Sequence, residues 1–160
     1  MIVLQVFLVG IMTIIFAQDY KERMVYWFLY PLVGISVFLI HVWQVGMVLA
    51  LSNSLMNLLF TSTLLFIVFV YSRFKLKLPF NSAFGAGDVL FFLFISLSFS
   101  TVSFVILFVF SLIVALVLHL IMHKISNTAK TVPLAGHMSI FFGFVYTVDL
   151  FFNCGFLYAY

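Results

Sequence analysis

The chain has 160 residues, of which 66% are hydrophobic and 7% charged, with 23 phenylalanines and a formal net charge of +3. A soluble domain carries about 25% charged residues, so this composition excludes an ordinary water-soluble fold and points to lipid as the solvent. The positive balance does not mark a nucleic-acid binder, because most of it sits in two short clusters, Lys21 with Arg23 and Arg73 with Lys75 and Lys77, and builds no basic helix face.

Lone Cys154 can form no intrachain disulfide and is too little for a structural zinc site, so it is given no role. No polar stretch is long enough to make a second unit, and residues 1–160 read as one domain. A membrane-crossing helix needs about 20 apolar residues, and the elements follow from that length. The first run covers 2–18; it lacks a basic start and a small-residue cleavage pattern, and is read as a retained transmembrane helix. A second runs from about Val25 to Trp43 with Pro31 inside it, where proline predicts a kink. A third covers 45–72 and ends at Arg73.

From Val89 to Met122 the sequence is apolar throughout. One helix of that length would extend about 51 Å, against a hydrocarbon core of roughly 30 Å. The segment Ser98-Phe99-Ser100-Thr101-Val102-Ser103 offers local side-chain bonding and predicts a break. A polar stretch from His123 to Pro133 leads to a last helix from about Gly136 to Phe156. The expected fold is therefore an all-α integral membrane protein with six transmembrane helices. All seven basic residues then fall on one side, which the positive-inside rule makes the cytoplasm, with both termini on the other.

This topology brings two of the four acidic residues to one end. Asp19 leaves the first helix and Asp88 enters the fourth, directly after Gly85-Ala86-Gly87 and before the run Val89–Ile95. Glu22 lies between Lys21 and Arg23 and reads as solvated, while Asp149 falls inside the last helix. An ionisable residue at a membrane boundary is costly without a role or partner. Two carboxyls close together in a low-dielectric site share a proton, so one can draw a proton from water while the other donates to a peptide carbonyl. Glycines beside them would let a substrate backbone approach. Two plainer roles remain open: Asp88 as a helix cap, and Asp19 as the ion-pair partner of Lys21 or Arg23.

The pattern Gly85-Ala86-Gly87-Asp88 opening a membrane helix, with Asp19 just after the first helix, resembles the type IV prepilin peptidase family of Gly-x-Gly-Asp membrane aspartic proteases. The likeness spans nearly the whole chain, including Pro133-Leu134-Ala135-Gly136 before the last helix. It implies that Asp19 and Asp88 are catalytic and that Gly85, Ala86 and Gly87 form a substrate-approach loop. The implied reaction is removal of the basic leader of a pilin-like precursor at the cytoplasmic face of the inner membrane, with no cofactor and no metal. The chain departs from larger members in having Val25-Tyr26-Trp27 where Ile-Pro-Asn is common, Leu90-Phe91 where a lysine is common, and no cysteine-containing insert. It resembles the short branch that cleaves without methyl transfer. The alternative function is a non-enzymatic assembly component or small transporter, with Asp19 and Asp88 as caps or ion-path acids.

Other constellations are weaker. His119 and His123 have i, i+4 spacing, but Leu120 stands where a zinc protease needs its glutamate, and no third ligand is evident. His137 and Ser139 are two apart and do not face each other on a helix, although His137 could line the site at the Asp88 end. Asn53, Asn57, Ser54 and Thr61 form a polar stripe expected to bond neighbouring helices. The abundant Phe and Tyr read as lipid-facing bulk and interface anchors.

Overall fold

The computed structural model describes residues 1–22, 24–76, 85–125, 134–152 and 155–159. Arg23, Lys77, Lys130, Pro133 and Cys154 lie outside that set, as does the side chain of His123. Among the described residues the fold is all-α: α1 Ile2–Glu22, α2 Leu29–Val45, α3 Met47–Tyr71, α4 Ala86–Ile95, α5 Thr101–Ile125 and α6 Leu134–Phe152. A π-helical turn, Ser72–Leu76, extends α3, and a short 3₁₀ turn, Gly155–Tyr158, follows α6. Helices α1, α3, α5 and α6 are long and apolar enough to cross a membrane, whereas α2 and α4 are shorter.

The predicted break in the long apolar run is present: α4 ends at Ile95 and α5 begins at Thr101. Gly46, at φ +84°, separates α2 from α3 in a conformation that glycine adopts freely. Pro31 does not kink a helix. It is the third residue of α2, which starts at Leu29 rather than near Val25, and in a first turn the missing N–H costs nothing. The last helix likewise begins and ends earlier than expected, at Leu134 and Phe152.

Helix α1 packs most extensively against α6. Its inner face, Gln5, Leu8, Met12 and Ile15, recurs at helical spacing and is almost wholly buried. Gly136 on α6 lets the two helices close, since a Cβ there would stand 2.9 Å from that of Asp19, whereas one on Gly143 would make ordinary contact with Met12 at 3.6 Å. Between α2 and α4 the same device operates, with Gly34 lying under the Phe94 ring. The reading of phenylalanine as lipid-facing bulk needs correction. Phe91, Phe92, Phe99, Phe104, Phe108 and Phe142 are fully buried and pack ring on ring, Phe92 edge-on to Phe108 at 4.9 Å and Phe99 stacked on Tyr146 at 5.1 Å. Helices this apolar on all sides distribute aromatic residues inward as well as outward, so hydropathy alone does not separate the two faces.

At 10 residues, α4 rises only about 15 Å, roughly half a hydrocarbon core. The backbone between Ile95 and Thr101 therefore has to be satisfied by protein rather than water. The polar residues of α2 and α3 do this. Asn57 Nδ2 donates to the Phe99 carbonyl at 2.9 Å, Ser54 Oγ reaches the Leu97 carbonyl at 3.5 Å, and His41 Nδ1 lies 3.2 Å from the same oxygen. Ser100 Oγ donates to the Leu157 carbonyl beyond α6. The expected polar stripe thus bonds an interrupted backbone, and Thr61, which donates to the Asn57 carbonyl in its own helix, takes no part in it.

Asn57→Leu keeps the bulk but removes the donor. It should destabilise the protein by about 1–2 kcal/mol in reversible unfolding from mixed micelles, while Asn53→Leu, on the half-buried side of the stripe, should cost less than about 0.5 kcal/mol.

Candidate active site

The first turn of an α-helix has N–H groups with no partner inside the helix. In α6 the residue before Leu134 is Pro133, whose side chain offers no acceptor. Two aspartates from elsewhere in the chain supply it. Asp19 Oδ2 accepts the Gly136 N–H at 2.6 Å, and Asp88 Oδ1 accepts the Ala135 N–H at 2.7 Å. Asp19 and Asp88, distant in sequence, are thereby fastened to consecutive amides of one helix.

Each comes from a different local setting. Asp19 sits in the last turn of α1, where the helix dipole disfavours a negative charge. The start of α6, with its partial positive charge, offsets that. Asp88 is the third residue of α4, whose N-cap is Gly85 in an extended conformation. The Gly85 carbonyl accepts the Asp88 and Val89 amides at 3.1 and 3.3 Å, and the Asp88 carboxylate in turn takes a bond from the Gly85 N–H, as in a capping box. Asp88 therefore joins the N-termini of α4 and α6. Neither carboxyl is wholly exposed or wholly buried.

Asp88 stands one residue ahead of the apolar run, at the lip of the membrane-spanning part. Its carboxyl is pushed up to about 6, chiefly by burial and further by the charge of Asp19, against the amide bonds from Ala135 and Gly85, which favour the charged form. Burial outweighs the two hydrogen bonds. The pair consequently keeps a proton well above the range in which an ordinary aspartate loses it, and its titration belongs to both groups together.

The glycines occupy less open positions than a loop would give them. Ala86 and Gly87 are the first two residues of α4, and only Gly85 precedes it. Gly85 and Ala86 are exposed, while the space where Gly87 would carry a Cβ is filled by the Tyr30 hydroxyl. Gly136 is equally constrained: a methyl group there would meet Asp19 Oδ2 at 2.8 Å and its Cβ at 2.9 Å. Tyr30 and the two α6 amides escape sequence reasoning. Backbone groups leave no trace in composition, but a helix that starts directly after Val132-Pro133, with no capping side chain at the cap position, is a readable sign that a cap can come from elsewhere.

Among the described residues the serine constellation does not assemble, and the pairing of His119 with His123 lies partly outside them. Ser139 Oγ donates to the Gly136 carbonyl within α6. His137, in the first turn of α6, is buried at the aspartate end. Among the described residues no three His, Cys, Asp or Glu side chains are grouped to hold a metal ion. Asp149 belongs to the opposite end, where its Oδ2 accepts from Gln5 Nε2 at 2.9 Å and from the Tyr158 hydroxyl at 3.3 Å. A cavity of about 210 Å³ opens along the α1–α6 seam. Its hydroxyls, Thr13, Ser139 and Thr147, all donate to carbonyls of their own helices and leave no polar group to do chemistry. No protein-family model matches the chain, and no curated protein or solved structure matches it.

Two outcomes check the geometry. Gly136→Ala should lower unfolding stability by about 1–3 kcal/mol by forcing Asp19 off its amide. The folded state holds the Asp88 proton more tightly than the unfolded chain does, so its contribution is complete below about pH 4 and is lost as pH rises through about 6. Thermal unfolding of the micellar protein should show that fall, and Asp88→Asn should flatten it.

Proposed function

We propose that this chain is a membrane aspartic endopeptidase that removes the N-terminal leader of pilin-like precursors at the cytoplasmic face of the inner membrane. The observation that carries the reading is the convergence of Asp19 and Asp88 on neighbouring amides of α6. A single cap needs one carboxylate. Bringing a second negative group to the same helix end adds repulsion, which is relieved when the two share a proton.

In that state the ionised carboxylate takes a proton from water as the water oxygen bonds to the scissile carbonyl carbon. The protonated carboxyl gives its hydrogen to the carbonyl oxygen, leaving a neutral gem-diol. Collapse of the gem-diol breaks the C–N bond; the first carboxyl returns its proton to the departing nitrogen, and the second recovers one from the diol. The Ala135 and Gly136 amides each occupy one carboxyl oxygen and fix the orientation of the other.

The apolar exterior supports a multi-pass protein in a lipid bilayer. Lys21 at the end of α1 and Arg73 at the end of α3 lie at the aspartate end, and basic residues mark the cytoplasmic side. The substrate class rests on the sequence resemblance: a leader that ends where an apolar helix begins would bring its scissile bond to the depth of Asp19 and Asp88.

The two amide bonds also favour the non-enzymatic alternative, in which the aspartates serve only as caps. Asparagine still accepts an N–H but cannot move a proton. With a precursor carrying a basic leader ahead of a 20-residue apolar helix, in micelles, Asp19→Asn and Asp88→Asn should each reduce cleavage by at least about 100-fold while the protein remains folded and inserted. Wild-type cleavage by both variants would establish capping as the whole role.

A further inference from the structure

Tyr30 reaches the aspartate site from α2, with its hydroxyl beside the residue that precedes Asp88. It is the second residue of α2, is 2% exposed, and its hydroxyl fills the space beside Gly87, the residue before Asp88. Both Asp19 and Asp88 act electrostatically on its phenol. A buried phenol needs a use for its hydroxyl, since a desolvated polar group without one is costly. A tyrosine hydroxyl is a donor, and ionised carboxylates are acceptors only.

Any side chain at position 87 would displace this hydroxyl. A Cβ there would also lie 3.4 Å from the Tyr30 Cζ, so the ring itself is in contact. Glycine at 87 therefore leaves room for the phenol next to the backbone that carries Asp88. That is a different requirement from leaving room for substrate, and the two glycines of Gly85-Ala86-Gly87-Asp88 then do different things: Gly85 caps α4, and Gly87 seats Tyr30.

We propose that Tyr30 is a positioning residue for the aspartate pair, its hydroxyl donating to the ionised carboxylate, and that position 87 is glycine in order to seat it. The proposal rests on the peptidase reading for its consequence in the reaction, but the hydrogen bond itself is measurable without turnover. Removing a donor from a charged carboxylate makes that carboxylate hold a proton more tightly.

The experiment uses the full chain in micelles, with aspartate carboxyl carbons labelled for NMR and the precursor with a basic leader ahead of an apolar helix as the cleavage probe. Tyr30→Phe keeps the ring and its packing. The lower of its two carboxyl titrations should move upward by about one pH unit, and the acid limb of cleavage should move with it. The maximal rate should fall about 10-fold at unchanged KM. Gly87→Ala should reproduce the titration change in the wild-type background and add little in the Tyr30→Phe background, where the hydroxyl is already gone. Unchanged titration in folded Tyr30→Phe overturns the proposal. If that result accompanies inactive Asp19→Asn and Asp88→Asn, the peptidase reading stands and only Tyr30 loses its role. If both Asn variants cleave at the wild-type rate, the peptidase reading fails and the positioning role falls with it.

Discussion

Two unpaired amides at the start of α6 organise this fold. The preceding proline offers them no acceptor, so the bonds to Asp19 and Asp88 tie three helices together at one point. Asp19 is thereby held at an end of α1 that repels it, and Gly136 has to remain a glycine for the two backbones to come this near. The α1–α6 seam continues from that contact down to Met12 and Gly143 and on to Gln5 and Asp149 at the far end. A local deficiency in one helix has become the tertiary link for half the bundle.

The far end obeys the same rule with the signs exchanged. There the interrupted backbone between α4 and α5 exposes carbonyl oxygens, and the side chains that answer are donors: Asn57, Ser54 and His41. In lipid neither sort of backbone group can be left to solvent. Acceptors gather where a helix begins, and donors gather where one has been broken. The chain has few polar residues, and many of those inside it are used at one of these two levels.

This division explains what could be read in the sequence. The split of the long apolar run was legible because a single helix would be too long for the bilayer and because serines cluster where it must turn. The arrival of Asp19 and Asp88 at one end was legible because counting spans fixes which helix ends coincide. Pro31 misled because a proline inside an apolar run looks the same whether it kinks a helix or opens one. The burial of Phe91, Phe92, Phe99 and Phe142 was invisible, since in a lipid-facing chain apolar residues mark inside and outside alike. The Ala135 and Gly136 amides carry no side-chain signature, and Tyr30 lies in a helix that hydropathy describes only as apolar. What pattern conveys is length and sidedness; which groups touch is set by close packing, and here that packing turns on glycines.

The brevity of α4 has a consequence for packing. Its three turns leave only a narrow apolar septum between the aspartates and the polar groups around Leu97 and Asp149. The septum is made of packed rings: Phe91 tilted against Phe142, Phe142 stacked on Phe99, and Phe99 stacked on Tyr146. With so little helix length available, the layer that parts the aspartates from the polar groups at the far end is built from packed rings rather than from added turns.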